Sequence, residues 1–122
     1  MAEHVGPNEF VLRDVTIHRR GLLARFVRQV GAAWRGLNDF FQRTGHNYTR
    51  FNYIGEWHSH PQFELIPSPR DRAAMVEIVS DPTAAPTFAV LLIVKLDPRN
   101  LLVGSLHTYL PDGSEHASEL VL

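Results

Sequence analysis

A chain of 122 residues, 44% of them hydrophobic, has the length of one compact domain and can bury one core, so a single domain over residues 1–122 is expected. The formal net charge of -1, with Lys and Arg scattered, offers no basic face to a nucleic-acid backbone, and with no cysteine, disulfides, iron–sulfur clusters and thiolate zinc sites are excluded. Any metal must therefore be held by His, Asp, Glu or water. The longest apolar run, Phe88 to Val94, is far short of the roughly 20 residues that span a bilayer, and the N-terminus lacks the basic-then-apolar pattern of a leader, so no membrane partner and a cytoplasmic location are expected.

In chain order, Gly6-Pro7-Asn8 reads as a turn, and Phe10 to Ile17, rich in β-branched residues, as a strand. The segment Gly21 to Val30 is ambiguous. From Ala32 to Thr44, Trp34, Leu37 and Phe41 follow the i, i+3, i+7 spacing of an amphipathic helix, and Gly45 suits its C-terminal cap. Tyr53 to His60 is short, aromatic and β-branched, which predicts a strand whose ladder ends at Pro61. Ser68-Pro69-Arg70-Asp71 combines an N-cap residue, a proline at the first helical position and an acid at the third, so a helix is predicted from about Pro69 to Val79.

Thr87 to Lys95 is nearly continuous in apolar residues, as expected of a strand covered on both faces, and the turn Asp97-Pro98-Arg99-Asn100 leads into Leu101 to Leu110 to make a hairpin. Pro111-Asp112-Gly113 marks another turn, with Ala117 to Leu122 as a short last strand. The sum is an α/β or α+β arrangement, a mixed sheet flanked by helices.

His58 and His60 stand two apart on the predicted strand, so both side chains leave one face and can converge on a single ion. A catalytic zinc site takes three protein ligands and keeps a fourth position for water. Asp71 is the best third ligand, because the loop from Pro61 to Pro67 can turn the chain back and the helix start then lies near the strand's end. His46, His107 and His116 are assigned no role, Trp57 and Phe63 are read mainly as packing, and Arg70 and Arg72 as solvated first-turn arginines.

The stretch Gly55-Glu56-Trp57-His58-Ser59-His60-Pro61, then six residues, then Ser68-Pro69-Arg70-Asp71, resembles the JAMM motif of the JAB/MPN metallopeptidases, and Tyr53-Ile54-Gly55-Glu56-Trp57-His58-Ser59-His60-Pro61 is most similar to the bacterial branch. The resemblance implies a cytidine-deaminase-like JAB/MPN fold, Zn2+ held by His58, His60 and Asp71, and Ser68 helping to stabilise the oxyanion. It further implies hydrolysis of a peptide or isopeptide bond at the C-terminus of a ubiquitin-like or sulfur-carrier protein. Alternatives are a catalytically impaired MPN-type scaffold, or a peptidase module of phage-tail or DNA-repair-associated type.

The family's general base is a glutamate on an early strand, and only Glu3, Glu9 and Glu56 precede His58. Phe10 to Ile17 reads as the second strand of the family's opening hairpin, so the first is expected to be missing. The base is left unassigned among Glu3, Glu9 and a residue upstream of the chain; Glu56 shares the His58 face but occupies a position the family does not use.

Overall fold

The computed structural model describes residues 1–17, 30–83 and 86–121, with the side chains of residues 30–33 left aside. Two compact units emerge, Met1–Tyr53 and Ile54–Leu122. The ambiguous segment Gly21 to Val30 lies outside the described residues except for Val30.

In the first unit, strand β1 (Ala2–Gly6) and strand β2 (Glu9–Leu12) form an antiparallel hairpin, and the two-residue strand β3 (Phe51–Asn52) pairs on the other side of β1. The expected loss of a first strand is thereby corrected: Ala2–Gly6 supplies it, and Pro7 and Asn8, the latter at φ 57°, make the turn. The second strand is also shorter than Phe10 to Ile17, stopping at Leu12. Helix α1 (Val30–Arg43) follows, and Gly45 at φ 67° ends it in the left-handed conformation, with the His46 N–H donating to the Phe41 carbonyl. Among the described side chains of the helix, Phe40 and not Trp34 is the buried one; it meets Phe51 edge-on at 6.2 Å, while Trp34 is 67% exposed. Leu37 and Phe41 of the predicted stripe are half-buried as expected, so only Trp34 departs from it.

The second unit is a four-stranded mixed sheet in the order β4-β5-β6-β7, comprising β4 (Gly55–Ser59), β5 (Ala89–Leu96), β6 (Leu102–Tyr109) and β7 (Glu115–Ser118). β4 and β5 run parallel, and helix α2 (Pro69–Ser80) is the crossover that parallel neighbours require; β5–β6 and β6–β7 are antiparallel. The last strand begins two residues before Ala117 and is over by Ser118, earlier than expected.

Alternation along β5 sends Ala89, Leu91 and Ile93 to one face, where they close with Met75 and Val79 of α2 and Tyr109 of β6 into the core, with Leu65, Val76 and Ile78 packed around it. Register carries the same face across the sheet: His58 pairs with Ile93 and Ile93 with Ser105, while Glu56 pairs with Leu91 and Leu91 with His107. The apolar core and a polar row thus share one surface.

β4 can approach β5 only because residue 55 has no side chain. A Cβ on Gly55 would lie 1.8 Å from the Val90 carbonyl oxygen, a backbone atom that cannot step aside without breaking the pairing. Gly55→Ala should therefore cost about 2 kcal/mol or more, read as a lowered urea midpoint; unchanged stability would show that β4 pairs differently.

Candidate metal centre

The site begins with a helix cap. Ser68, extended at φ -71° and ψ 163°, accepts the Asp71 N–H on its hydroxyl at 3.1 Å, and Asp71 Oδ2 accepts the Ser68 N–H at 2.8 Å. This reciprocal box, with Pro69 at the start of the helix, is the arrangement the sequence predicts, and it locks the Asp71 backbone and one carboxylate oxygen. Asp71 is buried, and its other oxygen points at the strand.

There Asp71 Oδ1 lies 2.8 Å from His58 Nδ1, and Oδ2 lies 3.3 Å from His60 Nε2. The structure thus brings together all three residues singled out as metal ligands, with Ser68 beside them. Among the described residues, no group of three His, Asp or Glu side chains stands open to hold a metal ion as it is. The reason is visible in the 2.8 Å contact, which is a hydrogen bond; two ligands of one tetrahedral zinc, each about 2.1 Å from it, stand roughly 3.4 Å apart.

Hydrogen-bond partners assign the imidazole protons. His60 Nδ1 lies 3.1 Å from the Glu64 carbonyl, which can only accept, so Nδ1 carries a proton and Nε2 is the nitrogen turned toward Asp71. His58 Nδ1 donates to Asp71, and its Nε2 faces Glu56 Oε2 at 3.7 Å.

Electrostatics follow from this sandwich. Glu56 is the largest cause raising the His58 pKa above its ordinary value; burial works against the rise, and the hydrogen bond and charge of Asp71 add to it. For Asp71 the largest single influence, burial, pushes upward, but hydrogen bonds with Ser68 and His58 and the charge of His58 outweigh it, leaving the carboxyl below its ordinary value.

The early glutamates differ sharply from one another. Glu3 is 5% exposed and both its oxygens are taken, Oε1 by Arg50 at 2.6 and 2.8 Å and Oε2 by Arg13 at 2.5 and 2.7 Å. Arg50 first and Arg13 second hold its carboxyl below the ordinary range, against the opposing effect of burial. Glu9 is exposed.

Phe63, read as packing, is instead 71% exposed and meets the His60 ring edge-on at 6.5 Å. Arg72 is not simply solvated: Nε donates to Glu115 Oε2 at 2.7 Å and Nη1 to the Pro67 carbonyl at 2.8 Å. Ser105, His107 and Glu115 escaped sequence reasoning, since a serine and a histidine alternating along a strand give no signal until the register is known.

A histidine strand, a helix-borne aspartate and a parallel crossover between them define the class: an α+β domain of JAB/MPN type. Residues 23–108 match the family described as prokaryotic homologs of the JAB domain, more than two thirds of the chain, and the chain belongs to that family. No curated protein and no solved structure matches it. The family includes hydrolases, so the chain carries a scaffold suited to peptidase or isopeptidase chemistry. Among the described residues no helix is long and apolar enough to cross a membrane.

In the metal-free protein, His58 with its raised pKa contributes stability that is complete below its unfolded value, about 6.5, and lost as pH rises through the folded value. Asp71, with its lowered pKa, contributes above about 3.9 and loses that contribution as pH falls through its folded value. The pair is therefore most stabilising between those limits. Glu56→Gln should move the His58 midpoint down in an NMR titration of the imidazole protons; an unmoved midpoint would remove Glu56 as the principal cause.

Proposed function

We propose that the chain is a zinc-dependent peptidase or isopeptidase in which His58, His60 and Asp71 hold the metal. The observation that supports this most directly is the pair His60 Nε2 and Asp71 Oδ2. With Nδ1 against the Glu64 carbonyl, His60 Nε2 and an Asp71 carboxylate oxygen face each other at 3.3 Å, close to the roughly 3.4 Å spacing of two zinc ligands. Such facing acceptors repel unless His60 takes a second proton or a cation lies between them. For His58 to join as third ligand, the 2.8 Å contact must widen by about half an ångström, or the ring must turn its other nitrogen.

Bound zinc would acidify a water and polarise the scissile carbonyl. The chain's own residues supply the frame. The Ser68 hydroxyl accepts the Asp71 N–H and still has its own proton to give toward an oxyanion, at the N-terminus of α2 where the helix dipole favours negative charge. Asp71, held by the cap through Oδ2, has little freedom to swing away. The substrate inferred is the C-terminal tail of a ubiquitin-like or sulfur-carrier protein, a choice that rests on family analogy; phage-tail and DNA-repair-associated peptidases would use the same residues on other substrates.

A second reading, a scaffold that binds such a partner without cutting it, is favoured by Glu3. A carboxylate held by two arginines is a poor proton acceptor, and Glu3 is the glutamate on the opening strand. Within the second unit Glu56 is a further carboxylate beside Asp71, 3.7 Å from His58 Nε2.

The purified protein should carry zinc by elemental analysis and cleave ubiquitin-like fusions, and His58→Ala and Asp71→Ala should each lose metal and turnover together. Full zinc occupancy in both variants would sink the ligand assignment. Stoichiometric binding of the fusion without turnover would select the scaffold.

A further inference from the structure

Past His60, residues 61–68 form no strand or helix of their own, so the carbonyl groups of this loop turn to water where the chain is exposed and to protein groups where, as at Leu65 and Pro67, it is not. Four of them are met by side chains. Lys95 Nζ donates to Phe63 O at 3.1 Å, His60 Nδ1 to Glu64 O at 3.1 Å, Ser105 Oγ to Leu65 O at 2.7 Å, and Arg72 Nη1 to Pro67 O at 2.8 Å. The Glu64 carbonyl, which decides the protonated nitrogen of His60, thus lies immediately before one clamped residue and immediately after another.

We propose that Ser105 and Arg72 are positioning residues of the metal centre: by holding the Leu65 and Pro67 carbonyls they place the Glu64 carbonyl against His60 Nδ1, and so keep Nε2 turned to Asp71. The inference rests on the metal reading for its consequence, but the hydrogen-bond chain stands without it.

Ser105 is a polar residue beside fully buried Ile93 and in line with His58, on the face that carries the core. Its single hydroxyl proton goes to Leu65 O, because a carbonyl can only accept; His107 Nε2–H, at 3.0 Å, therefore donates to the Ser105 oxygen. His107 Nδ1 lies 3.5 Å from Glu115 Oε1. Arg72 is anchored at the same carboxylate, which also accepts the buried Tyr109 hydroxyl at 3.0 Å. The Arg72 clamp thus leads back to Glu115 on β7, the strand farthest from β4 in the sheet order, and the Ser105 clamp stands on β6, so the loop is referenced to the body of the sheet. A partner that orients a histidine ligand through its second ring nitrogen raises that ligand's metal affinity about 10- to 100-fold.

The test needs no turnover. In metal-free protein, nitrogen-15 shifts of the His60 ring should report the Nδ1–H form in the parent chain and a mixture of tautomers in Ser105→Ala and in Arg72→Met, with Ser105→Thr restoring the parent pattern. In competition with a chromophoric chelator, both disruptive variants should bind zinc at least about tenfold more weakly, and the visible spectrum of the cobalt-substituted protein should change, at a melting temperature that Ser105→Thr shares with the parent. If Ser105→Ala fails to fold, Arg72→Met gives the same reading through Pro67. A single Nδ1–H tautomer and parent zinc affinity in the disruptive variants would overturn the proposal. A parent chain that binds no zinc would overturn the metal reading instead, while the tautomer measurement would still decide whether these residues orient His60.

Discussion

Asp71 answers to two structures at once. As the third residue of α2 it closes the capping box with Ser68, and as a carboxylate it bridges the histidines of β4 through both oxygens. Neither arrangement survives a change in the other: shifting the helix start by one residue would turn the carboxylate by roughly 100° about the helix axis and away from the strand. The loop must therefore deliver the chain to Ser68 at one point, and Pro69, already set to helical φ, begins the helix there without a trial turn. The cap is worth about 1 kcal/mol by itself, modest for stability, but it fixes an angle that the site cannot do without.

The sheet does the corresponding work on the other side. Because β4 pairs with β5 in parallel, His58 sits level with Ile93 and Glu56 with Leu91, so the polar row lies directly against fully buried aliphatic side chains. That neighbourhood has two effects. It limits the water available to screen Glu56, His58 and Asp71 from one another, which is why both carboxylates act strongly on one imidazole. It also ties the site to the core formed by Met75, Val79 and Tyr109, so the imidazoles are carried by a packed surface.

Much of this was legible in the sequence where a residue's role depends on near neighbours. Ser68, Pro69 and Asp71 form a local pattern with a local cause, and α2 begins where they place it. His58 and His60 share a face because a strand has a period of two. The hairpin β5–β6 follows from an apolar run and a turn rich in Asp, Pro and Asn. The failures have a different origin. β1 reads Ala-Glu-His-Val-Gly, with a charge and an imidazole where a strand signal needs branched or aromatic side chains, and its existence depends on pairing with both β2 and β3. Trp34 and Phe40 sit on one helix with similar hydrophobicity, and only tertiary contact with Phe51 decides which is buried. The mixed sheet expected is present as β4-β5-β6-β7, and among the described residues a separate sheet β2-β1-β3 precedes it in the chain, an allocation of strands that depends on long-range pairing.

The same distinction explains why Arg72 looked idle. An arginine in a first helical turn is ordinarily solvated, and nothing near it in sequence says otherwise; its partner Glu115 is 43 residues away. Yet where this irregular loop turns inward, at half-buried Leu65 and buried Pro67, its carbonyls cannot be left without partners. Arg72 on α2 and Ser105 on β6 supply them, and Lys95 on β5 and His60, just past the end of β4, meet two more carbonyls of the loop. The requirement to satisfy backbone groups is thus what recruits distant residues to the loop, and the loop's shape in turn decides which nitrogen His60 presents. The chemistry of the site is set by a local motif, whereas its geometry depends on residues that the motif does not contain.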